Sequence, residues 1–485
     1  MKLIKDYVTN HWGAEHWMFK DMPTYDWFHQ FPGYKQSNYR MTTQYDINGS
    51  KRDAKYCMDG WFVPSMPDLN QSNPLVLNYL IQNAIWWIEY ADLDGFRVDT
   101  YSYNDKEGIA KWTKAITDEY PYFNIVGEVW MHDQAQISYW QKDSPIAKIQ
   151  SYNSNCPSVM DFTLHDVFGN VFNEDRADWS NGMIKFYENF VNDFLYADPN
   201  NLLIFLENHD TGRFNQIYKN DFAKYQLGMT IMATMRGIPQ LYYGSEIGMA
   251  GDKGKGDADI RQDFPGGWKD DTINAFSASG RTAEQAKYFD FSKKVLKRKK
   301  NKEVIHTGKL THYIPENNVY VYFRHNDKET VMVVINNAPD AQNLNLTRFQ
   351  ENIKSFTLGN DILSGKTIDL KNGLSIEGKT SMILELKIMI KKMVIALVAM
   401  LVIGCKNENK STEAATSKEI AKFHSEVEEN AVIYEVNIRQ YSPEGTFNAF
   451  TKDIPQLKEL GVKIIWVMPI FPISQTKRKA TGGDN

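Results

Sequence analysis

The strongest constraint on this chain is the regular exchange of two hydrophobic periods. Short runs rich in apolar residues mark strands, and longer runs with apolar residues three and four apart mark helices. Strand-like runs fall at residues 1–8, 96–99, 123–128, 202–207 and 239–243, with a weaker one at 159–161. Helical runs at 106–120, 183–195 and 222–236 lie between them. Another opens at Asn73-Pro74, with proline at its first position, and repeats Leu77, Leu80, Ile81, Ala84, Ile85 and Ile88 at helical spacing. Strands alternating with helices imply βα units and a parallel sheet. Repeated this often, they predict an α/β fold, a (β/α)8 barrel with its chemistry at the C-terminal ends of the strands.

Three stretches depart from that rhythm. Residues 12–65 keep no sustained period and carry Trp12, His16, Trp17, Trp27, Phe28, Phe31, Tyr34 and Trp61. A loop this long inside a compact domain is usually functional. The reading is a barrel strand at 1–11, a small inserted domain at 12–70 and the rest of the barrel at 71–303. This last part includes a Gly-, Asp- and Lys-rich loop at 250–272 and a helix at 283–300. From about residue 305 the period shifts to two, with strands expected at 311–314, 319–325, 330–336 and 382–387. That predicts an antiparallel β-sandwich over 304–388. Lys391-Lys392 then precede twelve uncharged residues, Met393 to Gly404, ahead of Cys405. Twelve is short for a membrane span, and 389–405 has the n-region and h-region of a secretory signal. A polar linker at 406–430 follows. Residues 431–485 begin a further βαβ unit, with a strand at 431–438, a helix at 447–460 and a strand at 462–469. Its two strands are expected beside strand 1–8, because an open barrel sheet leaves unpaired backbone groups.

A net charge of −5 gives no electrostatic case for nucleic acid. Three cysteines, Cys57, Cys156 and Cys405, are too few and too far apart for a disulfide framework or a zinc site. Aromatic residues are abundant, with 12 Trp, 26 Tyr and 26 Phe. Aromatic faces line sugar-binding clefts, although large cores use them too.

The chemistry centres on Asp94-Gly95-Phe96-Arg97-Val98-Asp99-Thr100-Tyr101. Residues i and i+2 of a strand share a face, so Arg97 and Asp99 point the same way. A guanidinium favours the ionised form of a neighbouring carboxylate, as a carboxylate nucleophile requires. A structural Arg–Asp pair at a sheet end would look the same. The order of the surrounding motifs decides between them: Asp6-Tyr7-Val8-Thr9-Asn10-His11, Met66-Pro67-Asp68-Leu69-Asn70, Asp99, Gly127-Glu128-Val129-Trp130, and Phe205-Leu206-Glu207-Asn208-His209-Asp210.

This set, in this order, resembles the α-amylase family of retaining glycoside hydrolases, and Met-Pro-Asp-Leu-Asn resembles its neopullulanase and cyclomaltodextrinase subgroup. The resemblance covers residues 1–388. It implies Asp99 as nucleophile and Glu128 as acid/base, the two carboxyl groups that retaining glycosidases set about 5–5.5 Å apart. Val126, Val129 and Trp130 would exclude water and raise the Glu128 pKa. Asp210 would be the third carboxylate, holding sugar hydroxyls. His11 and His209 would donate hydrogen bonds to the sugar, and Arg97, Asp68 and Asn70 complete the implied substrate-binding set, Asp68 and Asn70 by shaping the inserted domain and its cleft. Asp6 reads as a structural partner. Asn10 matches a position that ligates calcium in this family, although one carboxamide does not establish an oxygen-rich site.

The implied activity is hydrolysis of α-1,4 bonds, with α-1,6 as a second linkage, in starch-derived α-glucan oligosaccharides. The alternatives are a transglycosylase on the same site and a non-catalytic starch-binding protein. Val402-Ile403-Gly404-Cys405 resembles a lipobox, which implies lipid attachment at Cys405 as the only membrane contact and a place in the bacterial periplasm or cell envelope. Two departures stand out. The first two barrel strands, at 431–485, follow the end of the domain they should begin. The family's sugar-stacking tyrosine between strands two and three is missing, together with the helix beside it. The expectation is that 1–388 and 389–485 come from two coding units, and that the chain as written is weakly active or inactive.

Overall fold

The computed structural model describes residues 1–371, 373–388 and 431–470. The signal-like stretch 389–405 with Cys405, the linker 406–430 and residues 471–485 lie outside the described residues.

Sixteen strands are described. In chain order they are β1 (Lys2–Val8), β2 (Gly95–Asp99), β3 (Asn124–Gly127), β4 (Ser158–Val159), β5 (Leu203–Phe205), β6 (Ile238–Tyr242), β7 (Lys309–His312), β8 (Val319–His325), β9 (Thr330–Asn336), β10 (Gln342–Leu344), β11 (Leu358–Asp361), β12 (Thr367–Asp369), β13 (Leu374–Ile376), β14 (Thr380–Lys387), β15 (Ile433–Val436) and β16 (Ile464–Val467).

Eight of these form one parallel sheet in the order β4-β3-β2-β1-β16-β15-β6-β5. A parallel bridge between Met160 and Leu203 joins its two ends, so the sheet curls into a barrel. The last two described strands sit in the middle of the sheet. Lys2 to Lys5 pair with Ile464 to Val467, and Ile433 to Glu435 pair with Gln240 to Tyr242. Ile4, Phe96, Val126, Ile238, Ile433 and Ile464 line the narrow interior, which is packed with side chains as in other barrels of this size. Gly95 is required there: a Cβ would lie 2.7 Å from the Asn124 carbonyl oxygen and 2.8 Å from Ile4 Cγ2.

Helices jacket the barrel at Pro74–Ala91, Lys106–Glu119, Phe222–Thr234 and Ala283–Lys300. Asn73 caps the first, its Oδ1 accepting from the Leu75 amide at 2.8 Å, and Pro74 follows where no amide hydrogen is needed. Two expected helices are broken. Residues 183–195 form an α-helix only at Ile184–Phe190, then a 3-10 turn at Val191–Leu195. The helix expected at 447–460 splits into Phe447–Thr451 and Ile454–Leu460. Pro455 has no amide hydrogen to continue the ladder, so it can stand only in a first turn. Several short helices were not expected. Lys51–Asp59, capped by Ser50, lies in the aromatic insert, and Asp257–Ile260 lies in the Gly-rich loop.

Beyond the barrel, β12-β11-β14-β9-β8-β7 form an antiparallel sheet, and β10 and β13 make a two-stranded one. The period of two sorts the faces. Tyr320 and Tyr322 pack toward the barrel helices, whereas Val319, Val321 and Phe323 pack with Leu374 and Ile376. The Thr230 and Ser381 hydroxyls meet at 2.9 Å across the first interface. Cys57 and Cys156 are buried free thiols.

A chain stopped after Ile388 would leave β1 and β6 each with an unpaired side, the template for sheet-to-sheet association. The expected outcome is aggregation, read by light scattering after purification. A soluble, folded monomer of that length would contradict the pairing.

Candidate active site

The strand ends bring the predicted carboxylates together. Asp99 is the last residue of β2, and Glu128 follows β3, its amide donating to the Val98 carbonyl at 2.9 Å. Register places Asp6 of β1 opposite Arg97 of β2. Arg97 has no exposed surface and serves three carboxyl groups. Its Nη1 lies 3.1 Å from Asp6 Oδ1 and 2.8 Å from Asp99 Oδ1. Its Nη2 lies 2.5 Å from Glu128 Oε1, an ion pair whose angle falls outside hydrogen-bond geometry. The Trp466 ring, from β16, stacks 5.2 Å from the guanidinium.

One cation cannot neutralise three carboxylates, and burial decides which of them keep a proton. Desolvation pushes Glu128 up to about 7. Arg97 opposes this, and Asp99 and Asp210 add to it. Desolvation also raises Asp6, against Arg97 and with the help of Asp99. The Asp99 side chain keeps 22% of its surface exposed, against 2% for Asp6 and 5% for Glu128, so it is the one of the three that reaches solvent. Thr100, next to it, has φ of 47°. A left-handed β-branched residue costs about 1–3 kcal/mol and marks functional sites. Here the strained turn aims the Thr100 amide at Glu128 Oε2, 2.8 Å away.

Asp210 lies beyond β5, where the Asn208 carboxamide oxygen accepts from the amides of Asp210 and Thr211 and shapes the turn. Its oxygens pair with Arg261 Nη2 at 2.8 Å and His209 Nε2 at 3.0 Å. Desolvation alone would raise its pKa, but His209, Arg261 and Arg97 outweigh it and hold the carboxyl well below the usual range. His209 has carboxylates on both sides, because its Nδ1 contacts Glu435 of β15. Burial works against the imidazolium, and the two carboxylates overcome it and raise the ring well above its ordinary pKa. Both ring N–H groups are therefore committed to carboxylates, so the expected direct donation from His209 to a sugar is altered.

His11 changes as well. The Asn10 carboxamide donates through Nδ2 to Asp68 at 3.0 Å and to the Tyr103 carbonyl at 3.2 Å, which leaves Oδ1 facing His11 Nδ1 at 3.1 Å. Oδ1 can only accept, so the proton sits on Nδ1. Burial lowers the His11 pKa, with Asp99 opposing. The neutral ring presents Nε2 as an acceptor, not the donor that was expected.

The same network corrects three further expectations. Both ends of the Asn10 carboxamide have protein partners, and among the described residues no group of three or more His, Cys, Asp or Glu side chains could hold a metal, so the structure adds no side-chain cluster to that single carboxamide. Asp68 is 2% exposed and is taken up by Asn10 and by His29 Nδ1, 2.6 Å away, so no sugar contact is open to it. Arg97 is sealed beneath the carboxylates and reaches no sugar. Asn70 donates to the Asp26 carbonyl at 2.9 Å and accepts from Ser72, fastening the inserted region to the start of helix Pro74–Ala91.

Three contributors were not singled out from sequence: Glu435, Trp466 and Arg261. A charge inside the apolar strand Val432-Ile433-Tyr434-Glu435-Val436 was the available signal for the first. Nothing local marked Arg261, which lies in the stretch read as loop.

Removing the guanidinium should be costly, because breaking a buried ion pair leaves charge uncompensated, at about 3–5 kcal/mol. Arg97→Met is expected to lose at least that much in urea unfolding. Arg97→Lys should recover little, since an ammonium cannot reach three carboxyl groups as a planar fork does. Wild-type stability in either variant would contradict the arrangement.

Comparison with known proteins identifies the family and the fold. Residues 1–328 match the family model described as "Alpha amylase, catalytic domain", and residues 310–385 match "Cyclo-malto-dextrinase C-terminal domain". A cyclomaltodextrinase of Thermoanaerobacter pseudethanolicus is 26% identical over 345 residues, which cover 70% of this chain and 52% of that protein. Neopullulanase 2 of Thermoactinomyces vulgaris is 26% identical over 384 residues, covering 77% of this chain and 57% of that protein. The chain thus spans about half the length of the curated relatives it matches. Among solved structures, the α-amylase of Geobacillus thermoleovorans complexed with acarbose superposes with a TM-score of 0.61 at 25% identity, covering 80% of this chain and 77% of that one.

Proposed function

Because the chain belongs to the α-amylase family of glycoside hydrolases, we propose that it is a retaining α-glucan hydrolase of cyclomaltodextrinase or neopullulanase type. Its substrates are starch-derived oligosaccharides, cleaved at α-1,4 and, as a second linkage, α-1,6 bonds. The observation that carries this reading is the grip of one guanidinium on both Asp99 and Glu128. Two carboxyl groups touching neighbouring nitrogens of one side chain are close together. That suits the spacing of about 5–5.5 Å in retaining enzymes rather than the wider gap that inverting enzymes leave for a water.

Asp99, the most exposed of the three carboxyl groups around Arg97, attacks the anomeric carbon. The bond to the leaving sugar breaks, and Glu128 gives that oxygen its proton. Water then attacks the glycosyl–Asp99 ester, Glu128 takes the water's proton, and Asp99 is released. Asp210 faces the same space as a fixed anion and accepts sugar hydroxyls as the ring flattens. His11 accepts another hydroxyl through Nε2.

The first step needs Glu128 protonated. Its pKa of about 7 means that turnover should fall as pH rises through about 7. In a full-length parent enzyme, Glu128→Gln should lower kcat by roughly 10²–10⁴-fold and remove that alkaline limb, and Asp99→Asn should lower it at least as far, while glucan binding persists in both. Release of reducing sugar across pH 5–9 checks this; near-normal turnover in either variant would remove the assignment.

The export reading of residues 389–405 rests on sequence alone and implies attachment at the cell envelope. Labelled palmitate should enter the wild-type protein in a bacterial host and fail to enter Cys405→Ala. Equal labelling of both would refute the anchor.

A further inference from the structure

Glu435 has no exposed surface, and its backbone is pinned on both sides. It pairs with Trp466 of β16 and Tyr242 of β6, and its carbonyl accepts from the Tyr243 amide at 2.9 Å. Its carboxylate therefore cannot swing toward water. Oε2 accepts from Gln240 Nε2 at 2.7 Å, and Oε1 meets His209 Nδ1 in a short contact. Among the described residues, His209 is the only group bonded to this carboxylate that can carry a positive charge. A buried carboxylate without a cation is strongly unfavourable, and the imidazole is the group that can supply one by taking a second proton.

The far side of the ring completes the argument. His209 Nε2 lies 3.0 Å from Asp210 Oδ2, and the ring stands edge-on to Trp466 at 5.8 Å, which fixes its plane. The charged groups acting on it are Asp210, Glu435 and Asp6, with Arg261 on its carbonyl and Arg97 across the Trp466 ring. Arg261 Nε donates to the His209 carbonyl at 2.8 Å and closes off the backbone. The order is Gln240–Glu435–His209–Asp210–Arg261, a line from the barrel interior to the cleft.

We propose that Glu435 is a positioning residue: it holds the His209 imidazole doubly protonated and in fixed orientation, so that Nε2–H is aimed at Asp210 and keeps that carboxylate ionised and directed at the substrate. Glu435 touches no reacting atom. It acts through His209, across 226 residues of sequence, and it makes β15 part of the catalytic machinery as well as of the barrel wall. The effect on turnover rests on the glycosidase reading above; the proton on His209 does not.

The test uses full-length protein with 15N-labelled histidine rings, His209 being assigned by the resonances missing from His209→Asn. In the wild type, both His209 ring nitrogens should stay protonated from pH 5 to 9. In Glu435→Gln, which keeps shape and an acceptor but removes the charge, the ring should titrate inside that range. Catalytic efficiency should then fall roughly tenfold per pH unit above the new pKa, with recovery at low pH. Gln240→Met frees the other oxygen but leaves the ion pair, so it should keep the flat His209 spectrum. Ordinary titration of His209 in the wild type overturns the proposal without any variant. So does a folded Glu435→Gln protein whose His209 spectrum and pH profile are unchanged, or whose activity drops equally at every pH. A wild type that releases no sugar, as the missing segment between strands two and three predicts, yet shows the flat His209 spectrum lost in Glu435→Gln, would leave the Glu435 role standing.

Discussion

One guanidinium facing three carboxyl groups is the constraint on which the upper face of this barrel depends. Arg97 is fully buried, and the surplus of negative groups around it cannot be neutralised in place. Protonation settles the imbalance, and burial sets its order. Glu128, sealed by its neighbours, is pushed to about 7, whereas Asp99 keeps contact with water at the strand end. Acid and nucleophile thus differ through environment alone, the general route by which paired carboxyl groups divide their roles. The strained Thr100 turn belongs to the same device, because it spends backbone energy to bring an amide to Glu128.

A second polar line meets the first at Asp210. It begins on β15 with Glu435, passes through His209 and ends at Arg261, which stands at the close of the short helix Asp257–Ile260. The two lines use different parts of the chain. Arg97, Asp99 and Glu128 come from βα units near its start, and Glu435 and Trp466 come from residues 431–470. The late segment supplies more than missing hydrogen bonds for β1 and β6: it places a carboxylate and an indole against the central charged groups. Chain order has little bearing on this, since parallel strands pair by register and side chains meet by strand position.

Much of this architecture could be read from the amino acids. The alternation of periods gave the barrel, the shift to period two gave the antiparallel sheets, and the motif order brought Asp99, Glu128 and Asp210 to one end. Local pattern could not supply the partners reached through space. Glu435 was visible only as a charge in an apolar strand, and Arg261 lay in a stretch whose Gly and Asp content reads as loop. The tautomer of His11 depends on how Asn10 is used by Asp68 and Tyr103, which no spacing encodes. For the same reason Asp68 looked available to a sugar, although Asn10 and His29 take it up. Pro455 was the one break plainly written in the sequence and passed over, where a continuous apolar period outweighed a residue that cannot continue a helix.

The central claim is that Asp99, exposed at the strand end, is the nucleophile and buried Glu128 the proton carrier. Covalent trapping tests it most directly. A 5-fluoro-α-glucosyl fluoride slows breakdown of a glycosyl-enzyme ester and supplies a good leaving group, so the intermediate can be digested and located by mass spectrometry. The account predicts one fluoroglucosyl adduct, on the peptide containing Asp99 and at Asp99 itself. An adduct on Glu128 or Asp210, or no adduct from an enzyme that releases sugar with inverted anomeric configuration, would contradict it.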